Sequence, residues 1–564
     1  MDTSERLVES LERLGVERVF GYPGGRVIEL FDDIPESSIE LVRPRDEREA
    51  SVMAEMHGRL TGQPGVLAGQ GPWVGSLGLI GQMEARLASS PMVAITEASE
   101  RGNYSTIAPY QQSRGDYGGL ELPKILDAVT KEHWFPRTPT ETVRSLQLAF
   151  KHAVAGRPGP TAIILDGDAV TDDYPDESIP PVWDDERQTR TWTAAPTARD
   201  VAAAAEALEA AERPVIISGN GVHASGAYDE VAETAEAYEA AVVTSYLGKS
   251  TFPETHRLAG GVIGSFGHEG ANQLVSEADA LLVVGCRMNP MDTNWQAPEF
   301  IRPDEQTIIH ADIDPRNAGW VYPADVGLIG DAAESLRELV AAGDADNDWA
   351  ETRAREARES FHAPECESDA VPILPQRAVK EIERVVDENT IVTADSGNNR
   401  FWLLNYLQTP AVRTYFGSGG VGGMGWATPA AVSAALATDK HVIGVAGDGG
   451  FTMTMTSVET AVEHGVAPTF VVLNDTSLGM VRQMQRGPGD IAGVEFHDTD
   501  FVRVAEAFGA TGVRVETPGE LGDALSDAKT NALPTVIDAR IDREQDMVET
   551  LQSSFYASVG GLHE

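Results

Sequence analysis

Short runs rich in valine and isoleucine alternate with amphipathic helical patterns along the whole chain. These runs form three sets of predicted strands: residues 39–42, 65–68, 92–96 and 162–165; then PVIISG, AAVVTS, ALLVVG and TIIHADID; then TIVTAD, VRTYF, HVIGVAGD, PTFVVLND and TVIDARID. Runs that are apolar throughout are typical of parallel strands covered on both faces. The pattern therefore predicts an α/β protein of three doubly wound parallel-sheet domains, with ligands outside the carboxyl ends of the strands.

Two polar, acidic stretches separate the three sets. Residues 166–200 and 341–376 break the periodicity, and we interpret both as linkers. The predicted domains are an N-terminal domain at residues 1–170, a central domain at 195–342 and a third domain at 372–545, followed by a C-terminal tail at 546–564. The chain opens with a predicted amphipathic helix that leads into a strand, and this start lacks the features of a signal peptide.

Composition narrows the classes of partner. The 564 residues include 43 Lys and Arg against 88 Asp and Glu, a formal charge of -45, which disfavours nucleic acid and anionic membranes as partners. The acidic excess is spread along the chain, as is typical of proteins from salt-loving organisms, where high ionic strength screens self-repulsion. There is no apolar run of about 18 residues that could span a bilayer. We expect a halophilic, cytoplasmic protein.

The stretch from 441 to 480 carries the clearest chemistry. It reads as a buried strand, a turn at Gly447-Asp448-Gly449-Gly450, a helix to about His464 and a second strand at 468–473. Asp448 and Asp475 then follow two strands joined by a right-handed crossover, so their carboxylates can converge. Two carboxylates, a main-chain carbonyl and two phosphate oxygens would form the six-oxygen shell of Mg²⁺.

The glycines after Asp448 suit a diphosphate. Gly449 and Gly450 allow backbone N–H groups to approach phosphate oxygens at a helix N-terminus. An ordinary turn is the alternative for a Gly-Asp-Gly sequence alone. The strand before it and Asn474-Asp475 after the crossover favour a site for a metal and a diphosphate.

The motifs in this stretch resemble those of the thiamine-diphosphate-dependent enzymes. The Gly-Asp-Gly turn followed by Asn-Asp is similar to the family signature, and LNDTSLGM is similar to a segment of acetolactate synthases. The resemblance implies that the side chains of Asp448 and Asp475 and the carbonyl of Ser477 bind Mg²⁺. It also places Met480 and Gly447, Gly449 and Gly450 at the cofactor. Asp475 stands where the family usually has asparagine, which leaves the metal preference open.

Two further segments resemble the family. SGGVGGMGWATPAA implies that Met424 supports the bend of the cofactor and that the Gly422 carbonyl accepts a hydrogen bond from its aminopyrimidine. A core methionine is the alternative for Met424. DSGNNRFW implies that Asn398 and Asn399 lie near the phosphates; otherwise they are ordinary loop asparagines.

The resemblance also identifies a catalytic carboxylic acid. LVRPRDEREASVMAEMHGRLTGQPGV, from Leu41, aligns Glu47 with the glutamate that shares a proton with the cofactor's pyrimidine and so promotes formation of its carbon nucleophile. Burial would raise the pKa of this acid toward operating pH. The alternative is a solvated charge at a helix start. Because the family builds each active site between two subunits, we expect a homodimer or homotetramer.

The match weakens at positions that determine the substrate. The segment GPWVGS from Gly71, the pair Tyr117-Gly118 and Met484 all differ from acetolactate synthases. In the central domain, GNGVHASG from Gly219 is a candidate adenine-nucleotide loop. Only Arg287 is retained from the family's flavin-contacting segment, so FAD binding is possible but disfavoured.

We therefore predict decarboxylation of a small 2-oxo acid with carboligation, as in acetolactate synthase. A simple 2-oxo acid decarboxylase of the same family is an alternative, and a catalytically silent protein that retains the fold is another. A nicotinamide-dependent oxidoreductase is a third, since GSGGVG at 417–422 satisfies the dinucleotide pattern. The second Gly-rich turn after HVIGVAG disfavours that reading. The sequence leaves the donor and acceptor substrates and a regulatory subunit undetermined.

Overall fold

A computed structural model describes residues 1–99, 111–115, 118–175, 178, 181–342, 348–359, 361–485 and 491–547. Within these residues the chain forms three six-stranded sheets whose strands are all parallel, flanked by helices, which confirms the predicted fold class. The chain divides into two compact units. The first contains the described residues of Met1–Trp192, Gly420–Thr438 and Thr454–Gly465, and the second contains the remaining described residues.

The first sheet lies in the first unit. Its strands follow the order β2-β1-β3-β4-β6-β5, with bounds β1 Arg18–Tyr22, β2 Glu40–Val42, β3 Gly65–Gly69, β4 Met92–Glu97, β5 Glu132–Trp134 and β6 Pro160–Leu165. The helices in this part of the chain are α1 Thr3–Arg13, α2 Ile28–Asp33, α3 Glu47–Thr61, α4 Gly71–Val74, α5 Leu79–Ala88, α6 Leu122–Val129, α7 Pro139–Val154, α8 Gly167–Thr171 and α9 Asp185–Thr189. Short 3₁₀ helices lie at Gly25–Val27 and Ile34–Glu36.

The second sheet lies in the second unit. Its order is β12-β11-β10-β7-β8-β9, with β7 Pro214–Ser218, β8 Ala241–Thr244, β9 Ala259–Val262, β10 Ala280–Val284, β11 Thr307–Asp312 and β12 Val326–Ile329. Its helices are α10 Ala198–Glu209, α11 Asn220–Ser225, α12 Tyr228–Ala237, α13 Glu269–Glu277, α14 Ala332–Val340 and α15 Trp349–Glu359, with 3₁₀ turns at Asn294–Gln296 and Pro364–Glu367. This is the strand order of dinucleotide-binding sheets, and it reverses between β7 and β10.

The third sheet also lies in the second unit. Its order is β14-β13-β15-β16-β18-β17, with β13 Thr390–Ala394, β14 Tyr415–Gly417, β15 His441–Gly447, β16 Thr469–Asn474, β17 Thr511–Val515 and β18 Thr535–Arg540. Its helices in this unit are α16 Pro375–Glu383, α17 Asn398–Tyr406, α19 Asp448–Thr454, α21 Gly479–Met484, α22 Phe501–Ala507 and α23 Pro518–Ala528. Counted along the chain, its strands follow the same order as those of the first sheet.

Two helices from the C-terminal part of the chain belong to the first unit, namely α18 Ala427–Ala437 and α20 Ser457–Glu463. Nearly all residues of α18 are small or apolar, and it packs against α3, where Ser433 Oγ donates a hydrogen bond of 2.7 Å to the carbonyl of Met53. A helix that is apolar on every side requires neighbours all around it.

The predicted single helix from Asp448 to about His464 is wrong. The structure has α19 and α20 instead, separated by residues 455–456, and α20 ends before Gly465, whose φ is +66°. Thr456 lies at this break, and its hydroxyl donates to the carboxylate of Glu49 on α3. Side chains of this kind compete with regular helical hydrogen bonding.

The two predicted linkers contain helices. Residues 166–200 include α8 and α9, and residues 341–376 include α15. The buried residues Ala350, Ala354 and Ala357 form one face of α15, and alanine contributes too little hydrophobic contrast to stand out in so acidic a stretch. Among the described residues, no helix combines the length and apolar character required to cross a membrane.

Candidate active site

An acid pair lies at the carboxyl end of the third sheet. Gly447 of β15 pairs in register with Leu473 of β16, so Asp448 and Asp475 follow neighbouring strands. Asp448 is buried, and burial together with the carboxylate of Asp475 raises its pKa to about 7. Burial also raises the pKa of Asp475, although hydrogen bonds from Ser477 oppose this effect. Two acids of raised pKa at one sheet edge favour the binding of a cation, which would stabilise their ionised forms.

The loop after β16 is held in a defined shape. Ser477 donates its backbone N–H to Asp475 Oδ1 at 2.9 Å, and Thr476 donates its own to Asn474 Oδ1 at 3.1 Å. A Cβ on Gly479 would lie 2.6 Å from Asp475 Oδ2, so any other residue there would displace that carboxylate. Met480 follows on α21 and packs partly buried against the core of this unit. The carboxylate of Asp475 is therefore oriented by its own loop.

Asn398 and Asn399 begin α17, and the structure distinguishes their amides. Asn399 Nδ2 donates to the Asp395 carbonyl at 2.9 Å, which ties that side chain to its own loop. Asn398 Nδ2 donates to Gln483 Oε1 at 3.1 Å, whereas Asn398 Oδ1 is buried and has no partner among the described residues. A buried amide oxygen without a partner is costly unless a ligand satisfies it. Asn398 therefore fits a ligand-contacting role better than Asn399 does.

The glycines around Asp448 leave room on one side only. A Cβ on Gly447 would have no neighbour closer than 3.9 Å, whereas a Cβ on Gly449 would lie 2.9 Å from the Phe496 ring and 3.0 Å from Leu478. Gly450 is buried in the first turn of α19. In the part of the chain that the structure describes, no cluster of three or more His, Cys, Asp or Glu side chains could hold a metal ion. A cation at Asp448 and Asp475 would need oxygens of other kinds.

Glu47 is the first residue of α3 in the first unit. The preceding Asp46 caps the helix by accepting the N–H of Glu49 at 3.0 Å. The Glu47 side chain is 7% exposed, with its Cγ 3.7 Å from the position of a Cβ on Gly69 at the end of β3. Burial raises the pKa of Glu47 above its ordinary value, and the nearby Asp46 carboxylate adds to the effect. The alternative of a solvated charge at a helix start is wrong.

The segment 420–426, which contains Gly422 and Met424, also lies in the first unit. Gly422 has φ +71° and Gly425 has φ +80°, a left-handed conformation suited to glycine. Met424 lines a cavity of only about 10 Å³, together with Arg48, Val52, Ile80 and Glu84. Sequence reasoning missed Glu84, which accepts hydrogen bonds from this segment. Its signal was a charged residue within the largely apolar helix α5.

One segment that differs from acetolactate synthases, which begins at Gly71, follows the end of β3. Trp73 donates its indole N–H to Gln70 Oε1 at 3.0 Å and is 43% exposed. Glu97 is buried and accepts the N–H of Gly71 at 3.4 Å. Met484, at the end of α21, is exposed in the second unit. Tyr117 lies outside the described residues.

The candidate nucleotide loop lies at the point where the strand order of the second sheet reverses. A Cβ on Gly219 would lie 2.5 Å from the carbonyl oxygen of Gly285, and one on Gly221 would lie 2.5 Å from the Gly285 Cα. The loops after β7 and β10 therefore touch, and their glycines are required by that contact. FAD binding stays an open prediction.

Comparison with known proteins identifies the broad class of enzyme to which the chain is similar. Family models of thiamine pyrophosphate enzymes match three parts of the chain: the N-terminal TPP binding domain at residues 1–118, the central domain at 201–339 and the C-terminal TPP binding domain at 395–539. Each match includes strands of one of the three sheets. Together they extend over more than half of the sequence.

Individual relatives narrow the class. A probable acetolactate synthase large subunit of Methanocaldococcus jannaschii is 34% identical, over 96% of this chain and 92% of that protein. The acetolactate synthase isozyme 3 large subunit of Escherichia coli is 32% identical, over 93% of this chain and 92% of that protein. The acetolactate synthase large subunit of Corynebacterium glutamicum is 31% identical, over 95% of this chain and 86% of that protein. The chain belongs to the thiamine pyrophosphate enzymes of the acetolactate synthase type, which confirms the resemblance inferred from its motifs.

Proposed function

We propose that the chain uses thiamine diphosphate and Mg²⁺ to decarboxylate a small 2-oxo acid and to ligate the product to a second carbonyl compound. The decarboxylation with carboligation follows from the family. The relatives are named as synthases of acetolactate, which supports 2-oxo acids as substrates. The observation that carries the assignment is the acid pair of buried Asp448 and partly buried Asp475 at the carboxyl end of the third sheet.

The acid pair suits a cation that bridges to a diphosphate. Asp448 and Asp475 would supply carboxylate oxygens, and Ser477 would add its carbonyl, with phosphate oxygens completing the shell that Mg²⁺ prefers. The unpartnered Oδ1 of Asn398 and the open side of Gly447 support a ligand here. Gly449, Gly450 and Met480 lie in the adjoining helices, and Asn399 would act by holding the loop. Binding of Mg²⁺ would relieve the repulsion between the two acids.

Glu47 is proposed to be the catalytic acid. Bound thiamine diphosphate supplies the carbon nucleophile that adds to the 2-oxo acid. A buried carboxylic acid with a raised pKa keeps its proton to a higher pH than a solvated acid does, and it can exchange that proton with a ring nitrogen. The Gly422 carbonyl would orient the aminopyrimidine, and Met424 would support the bend of the cofactor.

The test of Glu47 is the variant Glu47→Gln, assayed in high salt with thiamine diphosphate, Mg²⁺ and a panel of 2-oxo acids. The variant should lose turnover while keeping the melting temperature of the wild type. Glu49→Gln is the matched control, since Glu49 is a buried acid on the same helix, and it should keep most activity. Near-normal turnover of Glu47→Gln would refute the assigned role.

We further propose that the active enzyme is a homodimer or homotetramer with active sites shared between subunits. Hybrids of Glu47→Gln and Asp448→Asn subunits test this, because we expect neither variant to have appreciable activity alone. With sites shared in a twofold dimer, random mixing should restore about a quarter of the wild-type activity. No recovery would show that each subunit supplies both residues of its own site.

A simple 2-oxo acid decarboxylase is the second candidate function. Trp73, partly exposed beside Gln70, occupies the region in which the chain departs from acetolactate synthases, and this favours a different acceptor or none. Mass analysis of products with and without added acceptor aldehydes distinguishes the two. Carbon dioxide with a free aldehyde as sole products would favour the decarboxylase, and a longer hydroxyketone or hydroxy acid would favour the carboligase.

A further inference from the structure

Residues 420–426 are hydrogen-bonded at both ends to buried carboxylates. At the start of the segment, the backbone N–H groups of Gly420 and Val421 donate to Glu84 Oε1 and Oε2 at 2.8 and 2.7 Å. At its end, the indole N–H of Trp426 donates to Glu55 Oε2 at 2.9 Å. Gly422 and Met424 lie between these two attachments.

One arginine joins the two carboxylates. Arg59 lies 2.7 Å from Glu55 Oε1 and 2.9 Å from Glu84 Oε1, and its guanidinium lies 5.0 Å from the centre of the Trp426 ring. Glu55 is fully buried and Glu84 is 2% exposed. Arg59, Glu55, Glu84 and Trp426 thus form one network, which spans α3, α5 and the segment. We call it the Arg59 network.

The pKa values of the two acids are shifted in opposite directions. Burial raises the pKa of Glu55. Burial acts in the same direction on Glu84, but Arg59 and the N–H groups of Gly420 and Val421 outweigh it and hold the pKa of Glu84 below its ordinary value. Glu84 is therefore the anion that accepts the segment's N–H groups, and such charge-assisted hydrogen bonds are stronger and more directional than neutral ones.

The close approach of the segment to Glu84 depends on glycine. A Cβ on Gly420 would lie 3.0 Å from Glu84 Oε1 and 3.0 Å from Leu87 Cβ. Burying an ion pair is an expensive way to fill space, since apolar residues of similar volume are often equally stabilising. A role in fixing one geometry of the segment accounts better for two buried acids and an arginine at this place.

We infer that Glu84, held by Arg59, is a positioning residue that fixes segment 420–426 so that the Gly422 carbonyl and Met424 meet the cofactor in one orientation. This inference rests on the proposed function, because it assumes that the segment contacts thiamine diphosphate. Glu84 also lines the cavity of about 10 Å³ beside Met424, which has room for about one water molecule, so little space is left for the segment to shift.

The test is Glu84→Gln, which keeps the size of the side chain but removes its charge. The matched control is Glu381→Gln. Glu381 on α16 of the second unit is equally buried and pairs with Arg377 at 2.8 Å and with Arg384 at 2.7 Å. Both variants should lower the melting temperature. Only Glu84→Gln should raise the half-saturating concentration of thiamine diphosphate, by about tenfold or more, and alter the near-ultraviolet circular dichroism of the bound cofactor.

A second variant covers the case in which Glu84→Gln fails to fold. Trp426→Phe removes only the indole N–H at the other end of the segment, and we expect a smaller loss of cofactor affinity in the same direction. If both variants bind thiamine diphosphate and turn over like Glu381→Gln, the Arg59 network is purely structural and the inference is overturned. If the wild-type chain itself does not bind thiamine diphosphate with Mg²⁺, the proposed function fails as well.

Discussion

The first and third sheets share one strand order but carry different chemistry at corresponding strand ends. Counted within each sheet, β3 and β4 occupy the places of β15 and β16. After β15 and β16 come Asp448 and Asp475, whereas β3 is followed by Gln70, and β4 ends in Glu97. The same parallel topology thus presents a pair of acids in one sheet and an amide with a single acid in the other.

The surroundings of these acids differ as much as their number. Glu97 accepts the backbone N–H groups of Gly71 and Ser99, so both of its carboxyl oxygens have partners in the loops after β3 and β4. Asp448 is buried near Asp475. Burial together with the Asp475 carboxylate raises the pKa of Asp448 to about 7. Parallel sheets provide an edge at which ligands can bind, and the residues placed there decide which ligand is favoured.

The largest expected effect comes from Asp448→Asn. Removing a proposed metal ligand should lower activity by more than about 100-fold, the upper end of losses for residues that only support a ligand. Titration with thiamine diphosphate at increasing Mg²⁺ measures the loss. The matched variant in the first sheet is Glu97→Gln, which should leave the Mg²⁺ dependence of cofactor binding unchanged. An equal Mg²⁺ effect in both variants would contradict the contrast between the sheets.

Asp475→Asn should have a smaller effect. Asparagine keeps an oxygen that can bind the cation, and it removes the charge that raises the pKa of Asp448. We expect activity to fall by about tenfold or less, with weaker affinity for Mg²⁺ because one negative charge is lost. Activity measured over a series of Mg²⁺ and Mn²⁺ concentrations tests this. A loss as severe as that of Asp448→Asn would mean that both charges are indispensable.

Salt should stabilise the regions of the first and third sheets alike, whereas Mg²⁺ with thiamine diphosphate should stabilise mainly the region of the third sheet. The formal charge of -45 creates self-repulsion that salt screens. Raising KCl from about 0.1 M to about 1 M should increase the melting temperature by at least about 5 °C. Hydrogen exchange resolved by peptide separates the two effects. A melting temperature that does not change with salt would refute the proposed halophilic character.

The smallest expected effect is the pH dependence that Glu49 of the first unit gives to the stability of the fold. Burial raises the pKa of Glu49 to about 7, so the folded state binds a proton that the unfolded state releases near pH 4.5. The stability contributed by protonated Glu49 is complete below pH 4.5 and is lost as the pH rises through about 7. Glu49→Gln should remove this part of the pH dependence, which amounts to about 3 °C in melting temperature. Identical pH profiles of melting for the two proteins would contradict it.

Strand positions could be predicted where apolar runs are continuous and long. β7, β10, β15 and β16 match the runs that predicted them, whereas β9, β12 and β17 were not predicted. β9 contains Gly260 and Gly261, and glycines weaken the apolar signal of a strand. The helix break at residues 455–456 could not be predicted either, because it involves a hydrogen bond from Thr456 to Glu49, more than 400 residues earlier in the chain.

Some residues of the candidate site could be predicted from the sequence, and others could not. Asp448, Asp475 and Glu47 could be named from local patterns and family resemblance, because their motifs are short and contiguous. The Arg59 network could not, since it joins α3, α5 and residues 420–426, and no local pattern reports which charged residues of a helix are buried. The different environments of Asn398 and Asn399 likewise depend on contacts that only folding creates.

The sequence by itself determined the three parallel sheets, the family and the identity of the acids at the strand ends, because these depend on hydrophobic periodicity and on residues close together in the chain. The tertiary structure decided which of those acids are buried, which strand neighbours they have and which backbone groups Glu84 and Glu49 hold. The physical reason is that burial and hydrogen-bond partners depend on distant parts of the chain, and the pKa of an acid responds mainly to those two factors.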